Sequence, residues 1–263
     1  SEGIARVKKD DKWGYIDQDG HEVVPCRYDW AVSFSEGMAL VKKDGKRGYI
    51  NKGGHEVVPC RYDVAENFYE GMALVKKDDK YGYVNKDGHE VVPCRYDVAY
   101  SFSEGMARVK KDRKWGYINI NGHEVVPCKY DDADFFSEGL AGVSKDDKWG
   151  YVNKDGHEVV PCRYDMACSF SEGMARVVRD GDFGYVDKNG HEVVPCRYED
   201  AEDFSEGMAG VEKDFKWGYI NRDGHEVIPC RYDDAYDFSE GMARIRDGEC
   251  GYECGYINKN GHK

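Results

Sequence analysis

The sequence holds no run of about 18 apolar residues, so no helix is expected to cross a membrane and no membrane insertion is anticipated. No basic stretch followed by an apolar one stands near Ser1, and the chain opens without Met. It therefore reads as a processed product or a trimmed piece, which decides nothing about compartment. Also missing are Cys-x-x-Cys, Gly-x-Gly-x-x-Gly, a phosphate loop, Gly-x-Ser-x-Gly and His-Glu-x-x-His, the usual marks of zinc, nucleotide and hydrolase chemistry. Positive charge is in deficit. Lys and Arg number 38 against 51 Asp and Glu, a net charge of −13. A nucleic-acid backbone is bound by releasing counterions to a basic surface, so no nucleic-acid partner is expected. Proline occurs only seven times, while Gly at 31 and Tyr at 20 are plentiful, a balance of turns and aromatic strands rather than long helices.

All seven prolines fall in one recurring segment. His-Glu-Val-Val-Pro-Cys begins at His21, His55, His89, His123, His157 and His191, always 34 residues apart, and returns at His225 with Ile228 for the second Val. Seven units of 34 fill residues 1–238, and residues 239–263 form a degenerate partial cap unit, so residues 1–263 read as a single repeat domain. The third unit predicts strands from Met72 to about Lys76, from Tyr81 to Asn85 and from Glu90 to Tyr96. Asp87-Gly88 provides a hairpin turn between the last two. The remaining link, Asp29 to Gly37, reads as an irregular or helical turn capped by Asp29.

Columns that stay alike in every unit answer a demand that recurs in every unit. Ala5, Ala39, Ala73 and their equivalents never change, and Val7, Val41 and Val75 follow two positions on, so both columns share the core face of the first strand. The opposite face carries Arg6, Leu40, Leu74, Arg108, Gly142, Arg176, Gly210 and Arg244, a mixed column expected to be at least partly exposed. Met38 and Met72 beside it are expected to plug gaps toward the next unit. A glycine in every second strand, such as Gly14, implies a bend or the close approach of another backbone.

The segments Lys12-Trp13-Gly14-Tyr15-Ile16-Asp17, Val24-Pro25-Cys26-Arg27-Tyr28-Asp29 and Phe34-Ser35-Glu36-Gly37 resemble the WG-repeat family of bacterial proteins, also called KWG repeats. The resemblance covers essentially the whole chain; Arg47, Tyr81 and Phe183 depart from it at the Trp position. It implies an all-β repeat architecture and no particular activity. Each unit of about three short antiparallel strands plus an irregular link is too small to stand alone, and neighbours must complete its core. The last unit lacks its third strand and the first supplies its own first strand. An open repeat array is therefore expected, with a closed seven- to eight-bladed β-propeller as the alternative.

Seven of the ten cysteines form one column: Cys26, Cys60, Cys94, Cys128, Cys162, Cys196 and Cys230. Equivalent residues in stacked sheets lie about 10 Å apart, too far for disulfides, so a small buried apolar role is expected. His21 and Cys26, five apart, sit on opposite strand faces and do not chelate together. Cys250 and Cys254 have no second pair at zinc spacing and read as a cap disulfide or plain variation. Asp17-Gln18-Asp19-Gly20 is a fragment of a calcium loop without its remaining ligands and reads as a hairpin turn, with the histidine after it solvated. No metal site and no cofactor is expected. Every Cys, His and Asp of note recurs in nearly every unit, whereas an active site is one unrepeated constellation, so no catalysis is expected.

What varies sits in the link, where binding residues commonly lie: Trp30, Val64, Val98 and equivalents, and Val32, Glu66, Tyr100, Tyr236 and theirs. Trp30, Tyr100 and Tyr236, with Phe215 in a hairpin tip, are the candidate ligand-contact residues. The leading reading is a non-catalytic scaffold for protein or glycan recognition. The alternatives are a structural spacer or self-associating module of a larger protein, and metal or redox binding through the Cys column.

Overall fold

The computed structural model describes residues 2–247 and 254–262. Within them the chain is all β, with no helix, and forms two compact units, Ser1–Lys129 and Tyr130–Lys263, built on the same plan. The first sheet contains β1 (Ala5–Lys9), β2 (Lys12–Ile16) and β3 (Glu22–Tyr28). The second contains β4 (Trp30–Ala31), β5 (Met38–Lys43), β6 (Lys46–Asn51) and β7 (Glu56–Tyr62), hydrogen-bonded in that order. Eight such antiparallel sheets of three or four strands follow one another, each made of strands consecutive in sequence. None closes into a barrel, and among the described residues none borrows a strand from a distant repeat. The strands fit the open repeat array and not the closed propeller.

The link differs from the expected helical turn. Its first residues form the short strand β4, with Trp30 opposite Lys42 and Ala31 opposite Val41. The chain then returns through Ser35, bridged to Met38, across a two-residue turn in which Glu36 and Gly37 have φ of 52° and 79°. Positive φ at both central residues is the turn whose twist matches paired strands, so the Ser-Glu-Gly signature is a hairpin rather than a cap.

Two glycines per repeat answer different demands. A Cβ on Gly48 would stand 2.4 Å from the Val58 oxygen and 2.7 Å from the Cys60 nitrogen, because β7 bulges against β6 there. Gly88 combines φ of 84° with a site whose Cβ would lie 2.3 Å from the oxygen of Val57 in the preceding sheet. The first is required by its own sheet. The second is required by the neighbour.

Within each unit the core lies between successive sheets. Tyr15, Val24 and Tyr28 of the first pack against Ala31, Phe34, Ala39, Val41 and Ile50 of the second. On the other face of the second sheet, Met38, Leu40, Tyr49, Val58 and Tyr62 pack against Ala65, Phe68, Ala73, Val75 and Val84 of the third. The Ala and Val columns are buried from Ala39 and Val41 onward, while in the first sheet, which no earlier repeat covers among the described residues, Ala5 is exposed and Val7 half-buried; Met38 faces the next repeat. The mixed column is only in part the exposed face anticipated. Arg6 and Arg244 are exposed and Arg108 and Arg176 half-buried, but Leu40 is only 6% exposed and Leu74, Gly142 and Gly210 are buried, because the following sheet covers this face.

Tyrosine hydroxyls complete each junction. Tyr15 donates to the Val32 oxygen at 2.6 Å while its ring meets Phe34 edge-on, centroids 5.0 Å apart. Tyr28 donates to Glu56 Oε1 at 2.9 Å and accepts from Arg27. At the hairpin end, Asp29 accepts from Lys12 Nζ and from the Asp44 amide at 2.8 Å, holding two successive hairpins with one carboxylate.

Candidate functional site

From the second sheet to the seventh, three columns meet where the link crosses the sheet end: the mixed position of the first long strand, the ring position of the next, and the variable link residue. Antiparallel pairing and the short link strand bring them together. In the fourth sheet they are Arg108, Trp115 and Tyr100. The Arg108 guanidinium carbon lies 4.6 Å from the Trp115 ring and 4.4 Å from that of Tyr100. Lys110, directly opposite Trp115 in the ladder, adds a second cation at 4.9 Å. The first sheet repeats this with Arg6 at 4.3 Å and Lys8 at 5.8 Å from Trp13. In the sixth sheet Arg176 lies 5.7 Å from Phe183. Stacked cation–π contacts of this kind hold the arginines flat on the surface.

Other sheets hold different groups on the same frame. Between the second and third, Trp30, Val32, Leu40 and Arg47 face Glu66, Asn67 and Tyr69 around a cleft of about 310 Å³. Between the seventh and eighth, Glu202 and Trp217 face Asp234, Tyr236 and Asp237 around one of about 180 Å³. The latter is acidic. Burial, then the charges of Asp237, Asp200 and Asp203, push the Glu202 carboxyl up against the pull of Arg176. Burial and the charges of Asp200, Glu199 and Asp234 do the same to Glu212.

The residues expected to contact a ligand are placed as follows. Trp30, 39% exposed, and Tyr236, 47% exposed, each line one of these clefts. Tyr100 covers Arg108. Phe215 stands apart, 82% exposed at a hairpin tip with φ of 58°. Trp30 and Tyr236 line different clefts. The mixed and ring columns, which complete each site, were not among the candidates. The signal for them lay in paired variation: glycine in the mixed column accompanies an acidic link residue, as Gly142 does Asp134 and Gly210 does Glu202.

The cysteine column lies elsewhere, half-buried, and not on the face of the flanking Val and Tyr as strict alternation implies: Val58 and Tyr62 pack toward the third sheet whereas Cys60 packs toward the first, because the pairing register shifts at this bulge. The thiol of Cys60 points at the Val41 oxygen at 3.9 Å and packs on the core of the preceding junction. Burial pushes the thiols of Cys60, Cys128 and Cys230 up to about 11. The eight described cysteines are free thiols; Cys250, and with it the suggested cap pair with Cys254, lies outside the described residues. Among the described residues, Asp17, Asp19 and His21 have ligand atoms within 4.8 Å of one another. Their geometry is that of a turn: Asp17 Oδ1 accepts the amides of Asp19 at 3.0 Å and His21 at 2.8 Å.

A family model described as WG containing repeat matches residues 1–13, 13–46, 48–81, 81–115, 115–149, 149–181, 183–217 and 217–249. None of the curated proteins matches the chain. Similar solved structures include Hsv2p of Kluyveromyces lactis, at 8% identity and a TM-score of 0.37, covering 86% of this chain and 93% of that one. A eukaryotic initiation factor gives 11% identity and a TM-score of 0.42, with coverage of 92% and 77%. The CRINKLY WD40 ectodomain of the Arabidopsis thaliana receptor kinase ACR4 gives 9% and 0.33, with coverage of 86% and 96%.

Proposed function

Because the chain belongs to the WG-repeat family, we propose that it is a non-catalytic scaffold that recognises a protein segment along its link-end surface. One observation carries this reading. Columns that stay the same from repeat to repeat build most of the cores between sheets, whereas the mixed, ring and link columns vary and supply the half-exposed clefts around Trp30 and Tyr236. Aromatic faces alternating with charges of both signs are what protein-binding surfaces concentrate at their centres. Among the described residues, neither of these two clefts is lined by a serine, cysteine or histidine.

Pull-down from native-source material, run beside a glycan array, tests it. The chain is expected to retain a saturable protein partner, and a variant with Trp30→Ser and Tyr236→Ser to lose it while unfolding normally. Retention of glycans alone, or of nothing in either assay, overturns the reading.

A further inference from the structure

The ring position of the seventh sheet departs from its counterparts in a concerted way. Trp217 lies opposite Glu212 in the same register that sets Trp115 opposite Lys110. Every cation that flanks the ring in the fourth sheet is replaced. Gly210 stands where Arg108 stands, Glu212 replaces Lys110, and Glu202 takes the place of Tyr100. A Cβ on Gly210 would lie 3.5 Å from Trp217 ring carbons and 3.8 Å from Glu202 Cγ, ordinary van der Waals separations. A side-chain path therefore runs over the indole beside a carboxylate, along the track the Arg108 guanidinium fills in its own sheet. The fifth sheet repeats the pattern with Gly142, Trp149 and Asp134, where the corresponding Cβ lies 3.6 Å from the ring and 3.1 Å from Asp134 Oδ2.

We propose that the slot over Trp217 receives an arginine side chain of a partner segment, which names the partner class for the scaffold reading on which this rests. The chain shows what fits. Four of eight sheets carry arginine at this position (Arg6, Arg108, Arg176 and Arg244), and none carries lysine. A planar guanidinium stacks on indole and forks to a carboxylate, which a compact ammonium does less well. The charge is complementary. Glu202, Glu212, Asp234 and Asp237 lie about the ring, four carboxylates against two neighbouring cations, Arg176 at 3.9 Å from Glu202 and Arg246 at 3.4 Å from Asp234. The incoming group supplies from outside the cation that other repeats supply from within.

The test titrates the full chain with a short arginine-containing peptide and with the same peptide carrying citrulline, which keeps the shape and loses the charge. The arginine peptide is expected to bind saturably and the citrulline peptide at least tenfold more weakly. Gly210→Arg fills the slot from within, as Arg108 does, and is expected to weaken binding at least tenfold without lowering the unfolding temperature. Glu202→Gln with Glu212→Gln is expected to weaken it several-fold and to flatten its salt dependence. Equal binding of both peptides, unchanged binding by Gly210→Arg, or no saturable binding at all overturns the proposal. A native partner held equally by the wild type and Gly210→Arg leaves the scaffold reading standing and removes the slot. Saturable arginine binding without any native partner does the reverse.

Discussion

The hydroxyl of Tyr62 donates a hydrogen bond to Glu90 Oε1 at 2.9 Å, tying the end of one sheet to the start of the last strand in the next. The Tyr62 ring is fully buried and its oxygen also accepts from Arg61 Nη2 at 3.0 Å. The same bond joins Tyr28 to Glu56, Tyr96 to Glu124, Tyr130 to Glu158 and Tyr164 to Glu192. Tyr62→Phe keeps the packing and deletes the bond. Its expected cost is about 1 kcal/mol, the ordinary net worth of such a bond, read as a shift in the urea midpoint. No shift would mean that water serves Glu90 equally well.

Alkali attacks these junctions. Burial first, and the acceptor Glu90 after it, raise the Tyr62 phenol to about 12, against an ordinary value near 10. The folded state therefore holds its proton where the unfolded chain has lost it. The stability this contributes is complete below about pH 10 and is lost as pH climbs toward 12. Tyr49 and Tyr83 are pushed up further still by burial. Phenolate absorbance of the buried tyrosines should appear together with loss of the β signal. Full ionisation in an intact fold would contradict this.

Gly82→Ala and Gly45→Ala separate collision from backbone strain. A Cβ on Gly82 would meet the Val92 oxygen at 2.4 Å, and overpacking of that kind is expected to cost about 3 kcal/mol. Gly45 has φ of 80° and open space around it, so its cost is the left-handed backbone term alone, about 1 kcal/mol. Thermal unfolding of both variants distinguishes the two, and equal costs would refute the assignment.

The cysteine column should be slow to react. With the thiols of Cys60, Cys128 and Cys230 raised to about 11 and half-buried, little thiolate exists at neutral pH. A disulfide reagent at pH 7.5 is expected to label these three over hours in the native protein and at once in denaturant. Rapid native labelling would return the redox reading to consideration.

Phe215 occupies a turn position taken elsewhere by Asp11, Asp79, Asp147 and Arg113, at a left-handed φ that bulky residues resist. Its side chain is almost wholly exposed, so little packing is lost on removal. Phe215→Asn is expected to stabilise the chain by up to about 1 kcal/mol. A loss of stability would show that the ring makes a contact worth more than the strain.

The three long strands were legible because alternation and turn residues are local: Glu90–Tyr96 was read to the residue, and Met72–Lys77 within one. The fourth strand was not, because Trp30–Ala31 is too short to show a period and pairs only once Val41 is in place. The burial of Leu40 was missed for a related reason. Its cover, Ala65 and Phe68, arrives from the next repeat, and a mixed column looks exposed until its neighbour is known. Of the candidate site, the link residues were visible as variation. Their partners Arg108 and Trp115 were not, since only the ladder sets them beside Tyr100.

Each tyrosine clasp spans 28 residues, and so never reaches past the adjoining block. Each of the first five blocks thus offers the same plug to the block that follows it. Gain or loss of one whole block during replication would leave each surviving joint chemically intact, so such a gene can change length in steps of one repeat while each copy drifts on its outward face.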